Sequence, residues 1–256
     1  MTHSWDPQRY LVYADERGRP FVELLRRVDA DEPATVVDLG CGPGNFTRLL
    51  ATRWPGAKIR GIDGSNAMIT RARADVPDIE FEVDSIATWV PDVPVDVLLA
   101  NAALQWVPGH LAMLPRLLGG VAPRGWFAFQ VPRVFDDPIH TVRRDLAAEP
   151  LFAELTRSIV DPSAHDVETY VTTLMDLGCT VDAWETTYHH VLRGEDPVFA
   201  WIAGTAARPT LDVLPGDVRA GFEIELKARL RQAYPTRADG TVILPFRRLF
   251  VVVRKP

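Results

Sequence analysis

Apolar and polar positions fall in alternating blocks along the chain. From residue 34 to about residue 131, short apolar runs recur at 34–39, 58–62, 79–83, 95–100 and 125–131, each bounded by Gly, Pro or Asp, the pattern of buried strands. The stretches between them carry helical spacing. Strands regularly separated by helices predict a parallel, doubly wound sheet with right-handed crossovers, whose ligand crevice lies beyond the carboxyl ends of the strands. Ahead of the first strand, Phe21, Leu24, Leu25 and Val28 form an i, i+3, i+4, i+7 stripe. This predicts an amphipathic helix that starts at Arg19-Pro20 and packs on the sheet.

After Val131 the rhythm changes, because Pro132, Asp136, Asp137 and Pro138 interrupt it. Residues 179–192 and 241–253 are rich in β-branched and aromatic side chains and read as two late strands, an antiparallel addition to the sheet. Residues 132–178 and 195–235 read as mixed or mainly helical cap segments that return to its carboxyl edge. The predicted fold is therefore α/β and Rossmann-like: a mostly parallel sheet with late antiparallel strands and a helical cap, in a single domain over residues 1–256. A chain of 256 residues, 47% of them apolar, can bury such a core.

Charge and cysteine usage narrow the partners. The formal net charge is −6 and no Lys/Arg run occurs, which argues against nucleic acid. Cys41 and Cys179 lie far apart, with no spacing that builds a zinc site, so no metal is expected and a reducing cytoplasm fits. Residues 1–20 include Asp6, Arg9, Asp15, Glu16, Arg17 and Arg19, so no signal-peptide core is present there. No later stretch approaches a membrane span. A soluble, unprocessed cytoplasmic protein is expected.

The strongest chemical signal is Val36-Val37-Asp38-Leu39-Gly40-Cys41-Gly42-Pro43-Gly44-Asn45, a strand, a glycine turn and a helix starting near Asn45. Glycines at 40, 42 and 44 permit positive φ and close backbone approach to a ligand. A dinucleotide fingerprint would place its third glycine one residue later. Asp38 beside the turn suits an ammonium better than a phosphate, so a sulfonium nucleoside carrying an amino acid fits better than NAD. Asp63 ends the second strand, where this fold presents a carboxylate to a ribose diol. Asp84-Ser85-Ile86 follow the third strand and can meet an adenine. Asn101-Ala102-Ala103-Leu104-Gln105-Trp106 follow the fourth. Cys41 reads as a packing residue, since nothing near it in sequence would activate a thiol.

These segments resemble the class I S-adenosylmethionine-dependent methyltransferases. The resemblance implies a cofactor lined by Asp38, Gly40, Cys41, Gly42, Asn45, Asp63, Gly64, Met68, Asp84, Ser85, Ile86, Asn101, Ala102 and Trp106, with Tyr10 and Arg17 reaching it from an N-terminal flap that also holds Trp5. A narrower resemblance, to the trans-aconitate 2-methyltransferase family, covers nearly the whole chain. It is carried by Trp5-Asp6-Pro7, the 16–20 and 101–106 segments, Gln130-Val131-Pro132, Asp137-Pro138-Ile139-His140, and the later segments 181–188, 204–209, 233–235 and 244–250. Arg133-Val134 and Ala206-Ala207 depart from that family's pattern.

The narrower resemblance implies methyl transfer to one carboxylate of a small polycarboxylate, giving a monomethyl ester. A carboxylate is ionised at neutral pH, so no proton-abstracting catalytic residue is expected. Groups that hold the unreactive carboxylates are needed, and arginine suits them. The candidates are Arg19, His140, Arg208, Arg247 and Arg248, with Gln105, Tyr170 and Tyr188. The alternatives are O- or N-methylation of another small molecule, which would call for a base, and a non-catalytic S-adenosylmethionine-binding protein.

Overall fold

The computed structural model describes residues 14–256, with side chains from residue 18 onward. Trp5, Tyr10 and the side chain of Arg17, and with them most of the expected flap, lie outside the described residues. Among these residues, the elements in chain order are α1 (Ala14–Arg27), β1 (Thr35–Leu39), α2 (Thr47–Arg53), β2 (Lys58–Asp63), α3 (Asn66–Asp75), β3 (Glu80–Val83), β4 (Val95–Asn101), α4 (Leu114–Gly119), β5 (Val121–Pro132), α5 (Pro138–Ala147), α6 (Ala153–Thr156), α7 (Val167–Met175), β6 (Thr180–Leu192), α8 (Pro197–Ala203), α9 (Arg208–Val213), α10 (Gly216–Ala233) and β7 (Val242–Arg254). Two short 3-10 turns, Leu104–Trp106 and His110–Met113, lie between β4 and α4.

Each expected strand is present. The seven form one sheet in the order β3-β2-β1-β4-β5-β7-β6. Pairs β1–β2, β1–β4, β2–β3 and β4–β5 are parallel, and β7 runs antiparallel to β5 with Trp126 opposite Arg254 and Pro132 opposite Arg248. The chain winds outward from β1 to β3, then crosses back to β4. The strand order therefore reverses between β1 and β4, and a doubly wound sheet offers its ligand crevice at that switch point.

Three boundaries differ from expectation for physical reasons. Helix α1 is already helical at Ala14, ahead of the expected Arg19-Pro20 start, and holds Pro20 inside it; a proline forfeits one backbone donor, while Phe21, Leu24 and Val28 are all fully buried and Leu25 nearly so. Helix α2 starts at Thr47 rather than near Asn45, because left-handed backbone at Gly40, Gly42 and Gly44 keeps the chain in a turn. Strand β5 starts four residues before Gly125, with Arg124 at φ 64° and a register shift between Val95 and Val97.

The described chain divides into two compact units. One contains the sheet's parallel part with Ala164–Thr186 and Arg248–Pro256. Its core joins Val37, Leu39, Ile62, Leu98, Phe127, Phe129, Leu249 and Val251 to Leu114, Leu117, Tyr170 and Leu174 from the helices. The other comprises Arg133–Ser163 and Thr187–Arg247. Within it Phe152 meets Phe222 edge-on at 5.0 Å, His190 lies 4.5 Å from the Trp201 ring, and the Tyr234 hydroxyl accepts the Ile139 N–H at 3.0 Å. Residues 164–178, read in sequence with the cap, belong to the sheet unit, where the apolar face of α7 enters the core. No described helix is long and apolar enough to cross a membrane.

Candidate active site at the carboxyl ends of four parallel strands

Strand β1 is buried at Val36, Val37 and Leu39, and its end is bent by the glycine turn. The Gly40 and Cys41 N–H groups both donate to the Ile62 carbonyl, at 2.7 and 3.0 Å, and so tie the turn to β2. A Cβ at Gly40 (φ 83°) would lie 2.3 Å from that of Ala103, and one at Gly44 (φ 75°) 2.8 Å from the Phe81 ring. Those two glycines allow close packing. Gly42 differs: at φ 56°, a Cβ there would meet nothing within 4 Å. The turn therefore has one open side, at its centre.

Asp38 stands beneath it, 2% exposed. Its Oδ2 accepts the Thr47 hydroxyl at 2.7 Å, while its Oδ1 is buried without a hydrogen-bond partner among the described residues. Burial, more than the nearby Asp63, pushes its pKa up to about 6, against the lowering effect of the Thr47 bond. A buried carboxylate with one unused oxygen is costly unless a donor or cation meets it. Asn45 Oδ1 is a second buried acceptor without a partner among the described residues. The Cys41 thiol, buried and close to Asp38 and Asp63, has its pKa pushed well up and is a poor nucleophile.

Asp63 ends β2 with its oxygens already engaged: Oδ2 accepts from Gly42 N at 2.9 Å and Oδ1 from Ser65 N at 2.8 Å. Each oxygen keeps a second lone pair. Burial again raises its pKa, opposed by the Ser65 and Gly42 bonds. Ser65 caps α3 by accepting from Met68 N; Met68 is buried and Gly64 exposed. After β3, the Ser85 N–H turns onto Asp84 Oδ1 at 2.6 Å, and Ile86 packs on the core. Arg116, not expected from sequence, donates to the carbonyls of Ile86, Ala87 and Trp89 and so anchors this loop. Only the run of free carbonyls in a loop between elements could have hinted at such an anchor.

After β4, Asn101 Oδ1 accepts from Gln130 Nε2 at 2.8 Å, and Gln130 Oε1 accepts from Arg248 at 3.3 Å. Ala102 adopts φ 52°. Buried Gln105 donates to the Ala102 carbonyl at 2.7 Å, and its Oε1 has no partner among the described residues. Trp106 is half-buried. The cofactor candidates from residues 38–106 thus gather at the ends of four adjacent strands, β3, β2, β1 and β4.

The acceptor candidates do not form one group. Arg19, Gln105, Tyr170 and Arg248 belong to the sheet unit; His140, Tyr188, Arg208 and Arg247 to the helical one. Arg19 is exposed and Arg248 buried. Tyr170 requires a correction: it is fully buried, edge-on to Phe129 at 5.2 Å, and its hydroxyl is engaged by His110 and the His165 N–H, because the apolar face of α7 carries it into the core. In the helical unit, Arg208 pairs with Asp212 at 3.2 Å while its Nη1 is buried without a partner among the described residues. Arg247 donates to the Arg133 carbonyl at 3.1 Å. Tyr188 stacks on His190 at 6.2 Å. Burial, with Arg143 and Arg144 nearby, pushes the pKa of His140 down to about 3, so its imidazole is neutral. Arg143, unforeseen from sequence, is buried between Asp161 and the Thr210 hydroxyl.

The arrangement of a glycine turn, an acidic residue beneath it and acids at successive strand ends has counterparts among known proteins. A family model described as a methyltransferase domain matches residues 36–125. A trans-aconitate 2-methyltransferase of Mycolicibacterium gilvum is 48% identical over 98% of both chains, and one of Streptomyces avermitilis 45% identical over 98% of this chain and 97% of its own. This chain belongs to the trans-aconitate 2-methyltransferase family. Its fold is the Rossmann-like fold of methyltransferases: a solved N-methyltransferase of Haemonchus contortus, in complex with phosphomonomethylethanolamine and S-adenosylhomocysteine, superposes with a TM-score of 0.55 over 93% of this chain and 52% of its own at 14% identity. Such distant identity speaks for the fold alone, whereas the family relation extends over nearly every residue.

Proposed function

We propose that this member of the family transfers a methyl group from S-adenosylmethionine to one carboxylate of trans-aconitate or a related small polycarboxylate, giving a monomethyl ester. The observation that carries the cofactor reading is the buried, unpartnered Asp38 Oδ1 beside the open side of the Gly42 turn. An ammonium is the donor such an oxygen lacks, and the bare Gly42 backbone lets an amino-acid moiety approach. When bound, S-adenosylmethionine supplies an electrophilic methyl group on a sulfonium.

In this reading Asp38 and the turn Gly40, Cys41 and Gly42 hold the methionine part, with Asn45 beside them. Asp63 takes the ribose hydroxyls on its remaining lone pairs next to Gly64. Met68, Asp84, Ser85 and Ile86 border the adenine, and Asn101, Ala102 and Trp106 line the other side. With the cofactor in place, a carboxylate oxygen would take the methyl group as the sulfonium sulfur kept the bonding electron pair and left as the neutral thioether. No proton moves, and no residue has to act as a base. The chain contributes orientation, holding the oxygen in line at near-attack distance, and exclusion of the water that stabilises the separated charges. In the sheet unit that carries the cofactor residues, Gln105, Arg19 and Arg248 are the acceptor contacts; in the other unit Arg208 Nη1, buried without a partner among the described residues, is a donor suited to a carboxylate. A cytoplasmic location accords with two free, buried cysteines.

The test is mass spectrometry of products after incubating the purified protein with S-adenosylmethionine and a panel of mono-, di- and tricarboxylates, with phenols and amines as competitors. A monomethyl ester formed fastest from a tricarboxylate is the expected result. Methylation of a phenol or amine with no ester from any acid would overturn the assignment.

A further inference from the structure

The loop after β4, residues 102–109, carries Gln105 and Trp106 and is bounded by left-handed backbone, strained at Ala102 (φ 52°) and unstrained at Gly109 (φ 67°). Its entrance is held by the Asn101–Gln130–Arg248 chain and by the Ala102 N–H on the Gln130 carbonyl at 2.9 Å. Its exit is held differently. His110 Nδ1 lies 3.3 Å from the Val107 carbonyl, which can only accept, so Nδ1 carries the hydrogen and Nε2 is an acceptor. Tyr170 completes the chain. Its hydroxyl lies 2.6 Å from His110 Nε2 and donates to it, while accepting the His165 N–H at 3.2 Å. Burial holds the His110 pKa below its usual value, assisted by His165 and opposed by the Val107 bond, so the neutral tautomer persists.

We propose that Tyr170 and His110 are a positioning pair, which pins the exit of the 102–109 loop from inside the core and so sets Trp106 against the bound cofactor and Gln105 toward the acceptor. The inference rests on the methyltransferase reading, but not on which acid is methylated. Tyr170 is fully buried and packed on Phe129, so its orientation is fixed by the sheet. The loop thereby inherits a rigid reference through two hydrogen bonds. A loop free at its exit would have to lose that freedom on binding, and the cost would appear as weaker cofactor affinity.

The experiment is titration calorimetry with S-adenosylhomocysteine, alongside thermal unfolding, on Tyr170→Phe and on Leu174→Ala. Leu174 shares α7 and the same core but makes no polar bond to the loop. Losing the hydroxyl should weaken binding about tenfold, the scale of one buried hydrogen bond. Leu174→Ala should lower the unfolding temperature at least as much and leave the dissociation constant within about twofold, since cavity creation acts on stability. If Tyr170→Phe does not fold, His110→Gln and His110→Leu decide the matter: the Gln amide oxygen reaches the Nε2 position, can accept from the Tyr170 hydroxyl and should keep binding close to the parent's, whereas Leu should not. Equal affinity in Tyr170→Phe and the parent, equal losses in Tyr170→Phe and Leu174→Ala, or equal behaviour of the two His110 variants would overturn the proposal. Binding of S-adenosylhomocysteine by the parent with no acid methylated would count against the acid assignment and leave this test intact.

Discussion

Replacing Asp38 by Asn separates what the site needs for folding from what it needs for binding. Asn keeps the oxygen that accepts the Thr47 hydroxyl and removes the charge. Burial raises the Asp38 pKa from 3.8 to about 6, roughly two units at ~1.4 kcal/mol each, so its ionised form costs the ligand-free protein on the order of 3 kcal/mol at neutral pH. Because the folded value lies above the unfolded one, the stability associated with this group is complete below pH 3.8 and is lost as pH rises through about 6. The Asn amide would itself be buried without an acceptor, a cost of ~1–2 kcal/mol. The net expectation is that ligand-free Asp38→Asn unfolds a few degrees higher than the parent at pH 8, at ~2–4 °C per kcal/mol, with no gain near pH 4. Cofactor affinity should move the other way, by ~2–5 kcal/mol, because the ammonium loses its counter-charge. In the parent, binding of S-adenosylhomocysteine should weaken as pH falls below about 6, and in the variant that dependence should vanish. Circular-dichroism melting and titration calorimetry across pH read both quantities. A variant that is less stable at pH 8 yet binds as the parent does would refute the assignment of Asp38 as an unspent buried charge awaiting a cation.

Two glycine variants should divide in the same manner. Gly40→Ala places a Cβ 2.3 Å from that of Ala103 at φ 83° and should lower the unfolding temperature sharply, whereas Gly42→Ala has room in the fold and should cost only the ~1–2 kcal/mol of a left-handed residue while abolishing tight cofactor binding; melting and calorimetry on each check this. Asp63→Ala removes the acceptor of two backbone N–H groups as well as the proposed ribose contact, so it should weaken S-adenosylhomocysteine binding by at least ~1.5–3 kcal/mol and also lower the melting temperature; an unchanged dissociation constant would remove Asp63 from the site. Arg208→Met should raise the Michaelis constant for trans-aconitate by a factor equivalent to ~2–5 kcal/mol if Nη1 meets a carboxylate, against ~0–1 kcal/mol for an exposed pair, with little effect on a monocarboxylate or on cofactor affinity. Steady-state kinetics on both acids distinguishes the cases.

Much of this protein is local chemistry and was legible as such. The strands of the sheet unit announce themselves because a central parallel strand is buried on both faces and reads as an unbroken apolar run. The Phe21–Leu24–Leu25–Val28 stripe is buried as its spacing predicts. The glycine turn is legible because only glycine adopts positive φ without strain, and all three turn glycines do so. The order of Asp38, Asp63, Asp84 and Asn101 at successive strand ends follows from the winding rule alone. What tertiary structure decided is everything that depends on which distant groups meet. An aspartate in sequence is an ordinary carboxylate; burial, opposed by the Thr47 bond and assisted by Asp63, is what raises Asp38 to about 6. Tyr170 was expected among the acceptor contacts, in the 132–178 cap segment, but the register of α7 turned it into the core against Phe129 and His110. Arg116 and Arg143 carried no local signal, since an arginine's partners, here the carbonyls at 86, 87 and 89 and the Asp161–Thr210 pair, lie 18 to 67 residues away and are brought to it only by packing. Periodicity and turn stereochemistry are properties of neighbouring residues, whereas burial, protonation and hydrogen-bond partnership exist only once remote segments have closed around a side chain.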